Sequence, residues 1–335
     1  MGAYDQLYLH SNRVKRKVVV ITGGANGIGK ETAFRFGKFG AYVVIGDLDA
    51  KGAEEVIAGI VELGGQGACR RCDVTNWDDQ VSLFQLAISK FGAVDIVVAN
   101  AGVTEIGSFN TPHITNGAPT KPSFKTIEIN LIGVMYTAHI GLYYMRNYKA
   151  EDSLKSIVFT GSMASWQAIP GAPLYSASKH AVLGFMRSIY LTCLAKNIRV
   201  AVVHPFFVDT AIVPISVKIG MAGIPLTPVE RVAGAIFYAA TDPDMETSGC
   251  PWLLPDDGYV FRLAREELKE GVYEMIDARA KAVIAGARGV KHAFGVMRDL
   301  WRLLGKQTIL FGSMVAGASY LYSREEVRES LRHLL

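Results

Sequence analysis

The sequence has few cysteines, and their arrangement does not suggest a disulfide-stabilised or zinc-binding protein. Only four occur in 335 residues, and they are scattered along the chain. Cys69 and Cys72 read C-x-x-C, but no second pair follows that could complete a tetrahedral zinc site. We therefore expect neither a metal site nor a disulfide framework, and a reducing, intracellular compartment is the default.

The chain also lacks the charge pattern of a nucleic-acid-binding protein and the leader of a secreted one. The formal net charge is only +4, and no run of Lys or Arg reaches five residues. The N-terminal segment MGAYDQLYLHSNRVKRK contains no apolar signal core. Gln6 stands where a myristoylation signal needs Ser or Thr. These absences favour a cytoplasmic protein that binds no nucleic acid.

What is present is a globular composition with a regular alternation of apolar runs and helical patterns. Hydrophobic residues make up 50% of the chain and charged residues 20%. The predicted strands are VVVIT, AYVVIG, GACRRC, VDIVVAN, SIVFTGS, IRVAVVHP and GCPWLL, and the predicted helices are 28–39, 51–63, 77–91, 122–148, 174–196 and 228–240. Apolar strands separated by helices predict an α/β, doubly wound (Rossmann) fold with seven parallel strands and helices on both faces. Such folds bind ligands at the carboxyl ends of their strands.

The turn after the first predicted strand is rich in glycine. TGGANGIG, residues 22–29, places Gly23, Gly27 and Gly29 in the spacing G-x-x-x-G-x-G. Glycine permits the tight turn and lets the backbone approach a pyrophosphate, whose charge then meets the positive end of the helix. Because this turn lies within a β-α-β unit, it predicts a dinucleotide site rather than a merely flexible loop.

An acidic residue at the end of the second predicted strand favours NAD over NADP. Asp47 ends this strand in VVIGDLD, and a carboxylate there can accept hydrogen bonds from the adenosine ribose and repel a 2′-phosphate. Asn26 stands in the turn where an NADP enzyme can carry a basic residue. The alternative is that Asp47 only caps the following helix.

Tyr175 and Lys179 lie four residues apart in a helical run, so they share a helix face. In isolation, the simpler explanation is an ordinary helix with an aromatic residue and a solvated lysine. The alternative is chemical, because a nearby ammonium group favours the phenolate. It would lower the pKa of the phenol from near 10 toward the range that a general base needs.

In chain order, these motifs resemble those of the short-chain dehydrogenase/reductase family over residues 17 to about 260. Ser162 precedes Tyr175 at the separation that is usual in that family. Two segments, SMASWQAIPGAPLYSASKH and PFFVDTAI, further resemble its prostaglandin-type and fungal polyketide-alcohol dehydrogenases. The matching motifs are the glycine turn, Asp73 in CDV, Asn100–Gly102 (NAG), Asn130 in EINLIG, Ser162 in FTGSMAS and the Tyr175/Lys179 pair.

The resemblance implies an NAD-dependent oxidoreductase that interconverts a hydrophobic secondary alcohol and its ketone. Tyr175 would be the general acid/base, Ser162 would bind the substrate oxygen, and Lys179 would hold the nicotinamide ribose and tune Tyr175. Asn130, the fourth implied catalytic residue, would hold a water in a proton relay. The implied cofactor-binding residues are Gly23, Asn26, Gly27, Ile28, Gly29, Asp47, Asp73, Val74, Asn100, Ala101, Gly102, Tyr175, Lys179, Pro205, Val208 and Thr210.

The chain departs from the family after the sixth predicted strand, where Phe206 replaces the glycine of the usual Pro-Gly. Val208 and Thr210 still occupy positions that usually hold the nicotinamide carboxamide. We expect an apolar substrate pocket in which Trp166, Phe206 and Phe207 wall in a bulky hydrophobic alcohol or ketone. The same aromatic residues are equally suited to packing a lid.

The predicted organisation is an N-terminal arm (1–16), an NAD-binding and catalytic domain (17–263) and a helical C-terminal extension (264–335). Residues 279–306 of the extension carry seven Lys or Arg and one acid, and 308–322 is a long run without charge. A membrane span usually needs ~20 apolar residues. Association of this segment with an anionic membrane surface and packing in the protein or an oligomer interface both stay open.

Two functions are therefore considered. The first is an NAD-dependent alcohol dehydrogenase or reductase acting on a small hydrophobic molecule, expected from the resemblance to be a homo-oligomer. The second is a membrane-tethered NAD-binding protein with a vestigial site. The complete set of Asn130, Ser162, Tyr175 and Lys179 favours the first.

Overall fold

The computed structural model describes residues 2–4, 6–148, 154–208 and 226–265, with some positions of 210–224 and 275–298. The chain divides into two compact units, Met1–Glu270 and Gly271–Leu335. The described positions of the second unit are helical. The apolar segment 308–322 lies outside the described residues, and among those that are described no helix is long and apolar enough to cross a membrane.

A nine-stranded sheet forms the centre of the first unit. A separate exposed hairpin is built from two further strands. In chain order the strands are β1 (Gly2–Tyr4), β2 (Val18–Thr22), β3 (Tyr42–Asp47), β4 (Gln66–Arg71), β5 (Ile96–Ala99), the hairpin strands β6 (Ile114–Thr115) and β7 (Ala118–Pro119), β8 (Ser156–Thr160), β9 (Arg199–Pro205), β10 (Pro251–Leu254) and β11 (Val260–Arg262).

The spatial order of the strands is β1-β11-β10-β9-β8-β5-β2-β3-β4. The seven strands from β10 to β4 are parallel, which confirms the predicted parallel sheet. The predicted total of seven was too low, because β11 pairs antiparallel with β10 and β1 pairs antiparallel with β11. Both added strands are too short to produce a recognisable apolar run.

Helices cover both faces of the sheet. They are α1 (Gly27–Lys38), α2 (Ala50–Glu62), α3 (Trp77–Phe91), α4 (Lys125–Ile127), a π-helical turn (Glu128–Gly133), α5 (Val134–Asn147), α6 (Pro173–Leu194) and α7 (Val229–Thr241). Successive strand side chains point to opposite faces. In β2, Val19 and Ile21 pack in one core cluster while Val18 and Val20 pack in the other. The two faces therefore have separate cores, one with α1, α2 and α7 and one with α3, α5 and α6.

The strand order creates a crevice between β2 and β5. From β2 the chain proceeds outward through β3 and β4, then returns to place β5 on the other side of β2. Ligands of doubly wound folds bind at this reversal, beyond the carboxyl ends of the strands. The glycine turn after β2, Asp47 at the end of β3 and Asn100 after β5 all lie at this edge of the sheet.

The two residues of the C-x-x-C sequence lie in different environments. Cys69 packs against one core cluster, and Cys72 is buried in the other. Burial raises the pKa of both thiols, that of Cys72 to about 12. Each cysteine thus acts as a small apolar side chain in the structure.

Candidate active site

The glycine turn after β2 is packed too closely for side chains. Gly23 and Gly27 have positive φ values of 69° and 53°. A Cβ added to Gly29 would lie 1.9 Å from the Gly23 carbonyl oxygen. Asn100 Nδ2 also donates to that oxygen at 2.9 Å, which ties the turn to the end of β5. Gly29, also predicted to contact the cofactor, is not among the residues that line the cleft, and its lack of a side chain leaves room for the Gly23 carbonyl.

Asp47 lines the cleft and is not the cap of α2. Its Oδ2 accepts the Ala25 N–H at 2.9 Å, and its Oδ1 accepts the Asp49 N–H at 3.0 Å. Asp49 is the residue that caps α2, by accepting the Gly52 N–H. Each oxygen of the Asp47 carboxylate retains a lone pair for a further donor. The two-hydroxyl edge of a ribose would supply such donors.

The loop after β4 forms the next wall of the cleft. Asp73 Oδ1 accepts both the N–H and the hydroxyl of Thr75, at 2.9 and 2.7 Å. The Asp73 N–H donates to Asp79 Oδ2 at 2.9 Å. Asp73, Val74 and Thr75 all face the cleft, so this loop is held in a fixed shape where an adenine ring would lie.

Asn130 is buried beside the cleft rather than in it. It lies in the π-helical turn between α4 and α5, an irregularity often found at functional sites. Its side chain accepts the Val103 N–H and donates to the Val103 carbonyl, both at 2.8 Å, and also donates to Ser178 Oγ at 3.3 Å. The observed contacts of Asn130 fix the backbone of the loop after β5.

Ser162, Tyr175 and Lys179 come together at the carboxyl end of β8, and all three line the cleft. The Ser162 hydroxyl accepts the Ala164 N–H at 3.0 Å and is hydrogen-bonded to the Tyr175 phenol. Lys179 Nζ donates to the Thr160 carbonyl at 2.9 Å and lies 5.7 Å from the centre of the Tyr175 ring. The phenol and the ammonium group therefore face the same space.

In the protein without a cofactor, burial is the largest cause of the pKa shifts of Lys179 and Tyr175. It lowers the pKa of Lys179 to about 8. It raises the pKa of Tyr175, against the smaller opposite effect of the hydrogen bond from Ser162. The direction for Tyr175 is opposite to the one expected from the sequence, because loss of solvation raises the pKa by more than the hydrogen bond with Ser162 lowers it.

Phe206 fits its position without the flexibility of glycine. Its N–H donates to the Leu254 carbonyl at 2.8 Å, which continues the pairing of β9 with β10, and its φ is not positive. The Phe206 and Phe207 rings meet edge to face, with centres 5.1 Å apart. Both line the cleft together with Pro205, Val208 and Thr210.

Trp166, which was predicted to wall the substrate pocket, is not among the residues that line the cleft. Its ring packs edge to face on His204, with centres 5.7 Å apart, and the Arg187 guanidinium lies 5.3 Å from its centre. The short helical turn Met163–Ser165 directs Trp166 toward α6 and β9. The cleft is lined instead by its neighbours Met163, Ala164, Gln167, Ala168, Ile169 and Pro170.

The cleft has a volume of about 1050 Å³, at the upper end for small-molecule sites. Several residues that line the cleft were not among the predicted site residues: Thr104, Glu105, Lys125, Glu128 and Ile129. Glu105 was detectable as the first charged residue after the NAG motif. Lys125, Glu128 and Ile129 lie in the predicted helix 122–148, for which only Asn130 was expected to have a role in the site.

The profile of the short chain dehydrogenase family matches residues 17–217, more than half of the chain and including every motif described above. The chain belongs to the short-chain dehydrogenase/reductase family. Family membership makes the protein an oxidoreductase of the type that uses a nicotinamide cofactor.

Two curated relatives illustrate the similarity. A short-chain dehydrogenase/reductase, ascJ, of Acremonium egyptiacum is 34% identical over 232 residues, covering 68% of this chain and 76% of the relative. A cis-4-hydroxycyclohexanecarboxylate dehydrogenase of Sinomonas cyclohexanicum is 35% identical over 250 residues, covering 72% and 96%. Among solved structures, a short-chain type dehydrogenase/reductase from Mycobacterium marinum superposes with a TM-score of 0.65 at 25% identity, covering 75% of this chain and 98% of that one.

The short-chain dehydrogenase site has the features that a nicotinamide dinucleotide requires. Gly23 and Gly27 line the cleft without side chains, so the backbone of the turn is open there to a pyrophosphate. The turn leads into the amino terminus of α1, whose dipole favours phosphate. The described residues of this cleft therefore fit the cofactor class of the family.

Proposed function

We propose that the protein is an NAD-dependent dehydrogenase that interconverts a hydrophobic secondary alcohol and its ketone, with Tyr175 as general acid/base. The observation that supports this most is the convergence of Ser162, Tyr175 and Lys179 in the cleft that begins at the glycine turn. When bound, the dinucleotide supplies the hydride acceptor for alcohol oxidation.

The chain supplies the proton chemistry and the positioning. Tyr175 Oη takes the hydroxyl proton of the substrate as the carbon–hydrogen bond of the alcohol breaks. Ser162 Oγ donates a hydrogen bond to the substrate oxygen and stabilises the charge that develops there. Lys179 favours the phenolate because its ammonium group faces the ring at 5.7 Å. Asn130 acts indirectly, because its side chain binds the Val103 backbone and so fixes the loop that borders the reacting atoms.

The preference for NAD over NADP rests on Asp47. A 2′-phosphate would approach a carboxylate whose oxygens already accept two backbone N–H groups. Lys125 and Lys179 are the basic residues among those described at the cleft, and both belong to segments other than the glycine turn and the end of β3. Arg71, the register partner of Asp47 on β4, lies 3.6 Å from the Asp79 carboxylate and is not among the residues that line the cleft, so no described cleft residue next to Asp47 offers a cation for the extra phosphate.

The substrate class rests on the apolar lining of the cleft and on the relatives. Val103, Met163, Ile169, Phe206 and Phe207 are among the apolar residues that line the cleft. A relative covering 72% of the chain is named for the oxidation of a hydroxylated cyclohexane ring. A secondary alcohol on a ring or another bulky apolar skeleton suits both observations.

The test is a turnover assay with purified full-length protein, a panel of hydrophobic secondary alcohols, and NAD or NADP offered separately. We expect reduction of NAD, a preference over NADP, and loss of turnover by at least about 100-fold in Tyr175→Phe, because general acid/base groups contribute about 10²–10⁴-fold. Tyr143→Phe removes an exposed phenol on α5 and serves as the matched control. NAD binding without turnover of any alcohol or ketone would instead favour the vestigial NAD-binding protein.

A further inference from the structure

The helix that carries Tyr175 begins without a cap of its own. Ala172 occupies the N-cap position of α6 and has no side-chain acceptor, and Pro173 follows it without an N–H. The next two N–H groups belong to Leu174 and Tyr175. At most helix starts, a Ser, Thr, Asp or Asn at the N-cap would satisfy such groups.

The missing cap is supplied by Glu105, from the loop after β5. Glu105 Oε2 accepts the Tyr175 N–H at 2.7 Å, and Oε1 accepts the Leu174 N–H at 3.3 Å. The two partners are 69 and 70 residues further along the chain. The carboxylate also faces the positive end of a 22-residue helix, which favours its charge.

The loop that carries Glu105 is itself held on both sides. Before Glu105, Asn130 binds the N–H and carbonyl of Val103. After it, the buried Thr126 accepts the Ile106 N–H at 2.9 Å, and it donates to the Thr104 carbonyl at 3.3 Å. Glu105 therefore projects from a backbone segment that has little freedom to shift.

We propose that Glu105 is a positioning residue for Tyr175. Glu105 couples the loop after β5 to the start of α6. This inference rests on the proposed function. The Tyr175 backbone is fixed by Glu105 at its N–H and by Ser178 Oγ at its carbonyl, both at 2.7 Å. The ring can then reach only a narrow set of positions next to Ser162.

Loss of this cap should slow the chemical step more than it weakens cofactor binding. In Glu105→Ala the first turn of α6 loses both acceptors, and a displacement of about 1 Å at a reacting group can cost about 100-fold in rate. We expect kcat to fall by about 10- to 100-fold while the Kd for NAD stays within about two-fold. Glu105→Gln should recover part of kcat, because its amide oxygen can still accept one N–H.

The second readout is amide hydrogen exchange, which does not depend on turnover. In Glu105→Ala, exchange should accelerate in the peptide that contains Leu174 and Tyr175, and stay unchanged in β2 and β5. The matched control is Asn76→Ala, since Asn76 Oδ1 likewise caps α3 by accepting two N–H groups, those of Asp78 and Asp79. This control should lose stability by about 1 kcal/mol and keep its kcat.

The outcomes separate the two proposals. A Glu105→Ala protein with kcat within about two-fold of wild type, or with slowed turnover but unchanged exchange at Tyr175, would overturn the positioning role. A parallel loss of kcat in Asn76→Ala would also overturn it, since any lost cap would then have the same effect. If the wild type oxidises no alcohol, the proposed function fails, and the exchange comparison still decides whether Glu105 holds the start of α6.

Discussion

Lys179 illustrates the cost of placing a charge inside a cleft. Its side chain is buried, and this burial lowers its pKa from 10.5 to about 8. Of its three donors, one is directed to the Thr160 carbonyl. The protein therefore holds this amine in an environment that opposes its charged form, where the ammonium can act on Tyr175 with little screening by water.

The lowered pKa of Lys179 predicts a specific dependence of the free energy of unfolding on pH. The pKa of Lys179 is lower in the folded protein than in the unfolded chain, so the unfolded chain binds more protons than the folded protein between about pH 8 and 10.5. The contribution of Lys179 to the free energy of unfolding therefore rises with pH across that window. Relative to Lys179→Met, the wild type should gain up to about 3 kcal/mol of unfolding free energy over this range. Urea unfolding of both proteins across the window measures it, and a difference that does not vary with pH would contradict the account.

At the residue scale, much of the site could be predicted from motifs in chain order. Asp47, Ser162, Tyr175 and Lys179 lie in the cleft as expected. Trp166 could not be placed, because neighbouring residues in a short helical turn point in different directions and the motif does not say which of them faces the ligand. The position of Glu105 after the NAG motif is visible in the sequence, but its capping contacts could not be predicted, because its partners are 69 and 70 residues away.

Glycines inside the helices differ in how closely neighbouring atoms pack against them, although nothing in the local sequence distinguishes them. Gly184 lies on the exposed side of α6, and nothing is within 4 Å of a Cβ added there. Gly141 in α5 is buried, and an added Cβ would lie 3.0 Å from Val97 Cγ2. Val97 is itself buried in β5, with a stiff branched side chain that cannot easily move away.

Alanine substitution at these two positions should therefore have different effects. Gly184→Ala should raise the free energy of unfolding by about 1 kcal/mol, since alanine is the better helix former by that amount. Gly141→Ala should give no such gain, because the close contact with Val97 offsets the improved propensity. Denaturant unfolding of the two variants checks this, and equal stabilisation of both would contradict the packing described here.

At the element scale, six of the seven parallel strands were predictable because each is an apolar run bounded by turns. The seventh, β4 (QGACRR), has no such run and was predicted from its place between two helical patterns. The helices begin and end close to their predicted limits. The β6–β7 hairpin was missed although Asn116 and Gly117 have the positive φ values, 52° and 76°, of a tight hairpin turn. Its two short strands are exposed, so they carry no apolar alternation to recognise.

Across the whole molecule, the edge of the sheet opposite the cleft is fixed by a buried ion pair. Lys155 Nζ and Asp95 Oδ1 are 2.9 Å apart, and Lys155 also donates to the Val94 carbonyl. Asp95 Oδ2 accepts the Val18 N–H at 2.9 Å. The pair thus joins the amino ends of β2, β5 and β8, whose carboxyl ends form the site.

Breaking this pair should affect stability and leave the chemistry intact. Asp95→Ala leaves the Lys155 charge buried without its partner, and we expect the free energy of unfolding to fall by about 3–5 kcal/mol. The turnover per folded molecule should match the wild type, because the change lies at the far end of the strands. The double variant Asp95→Ala/Lys155→Met should recover part of the loss, whereas a loss below about 1 kcal/mol in the single variant would refute this role.

The family assignment rests on residues 17–217. The extension beyond 263 follows no pattern of alternating strands and helices in its sequence, and the prediction that 308–322 binds a membrane surface or packs on protein stays a prediction. By contrast, the segment expected to be an N-terminal arm contributes Leu7 and Val14 to the core. Such packing depends on partners on α1 and α7 that the local sequence does not contain.

The most direct test concerns the proton on Tyr175, whose pKa burial raises in the protein alone. The near-ultraviolet absorbance of tyrosinate would be followed against pH with and without saturating NAD, and Tyr175→Phe subtracted to isolate one phenol among 14 tyrosines. We expect the pKa of Tyr175 to lie above its ordinary value without NAD and to fall when NAD is bound, since the positive charge of the nicotinamide would favour the phenolate. An identical titration curve in both conditions would contradict the assignment of Tyr175 as the base.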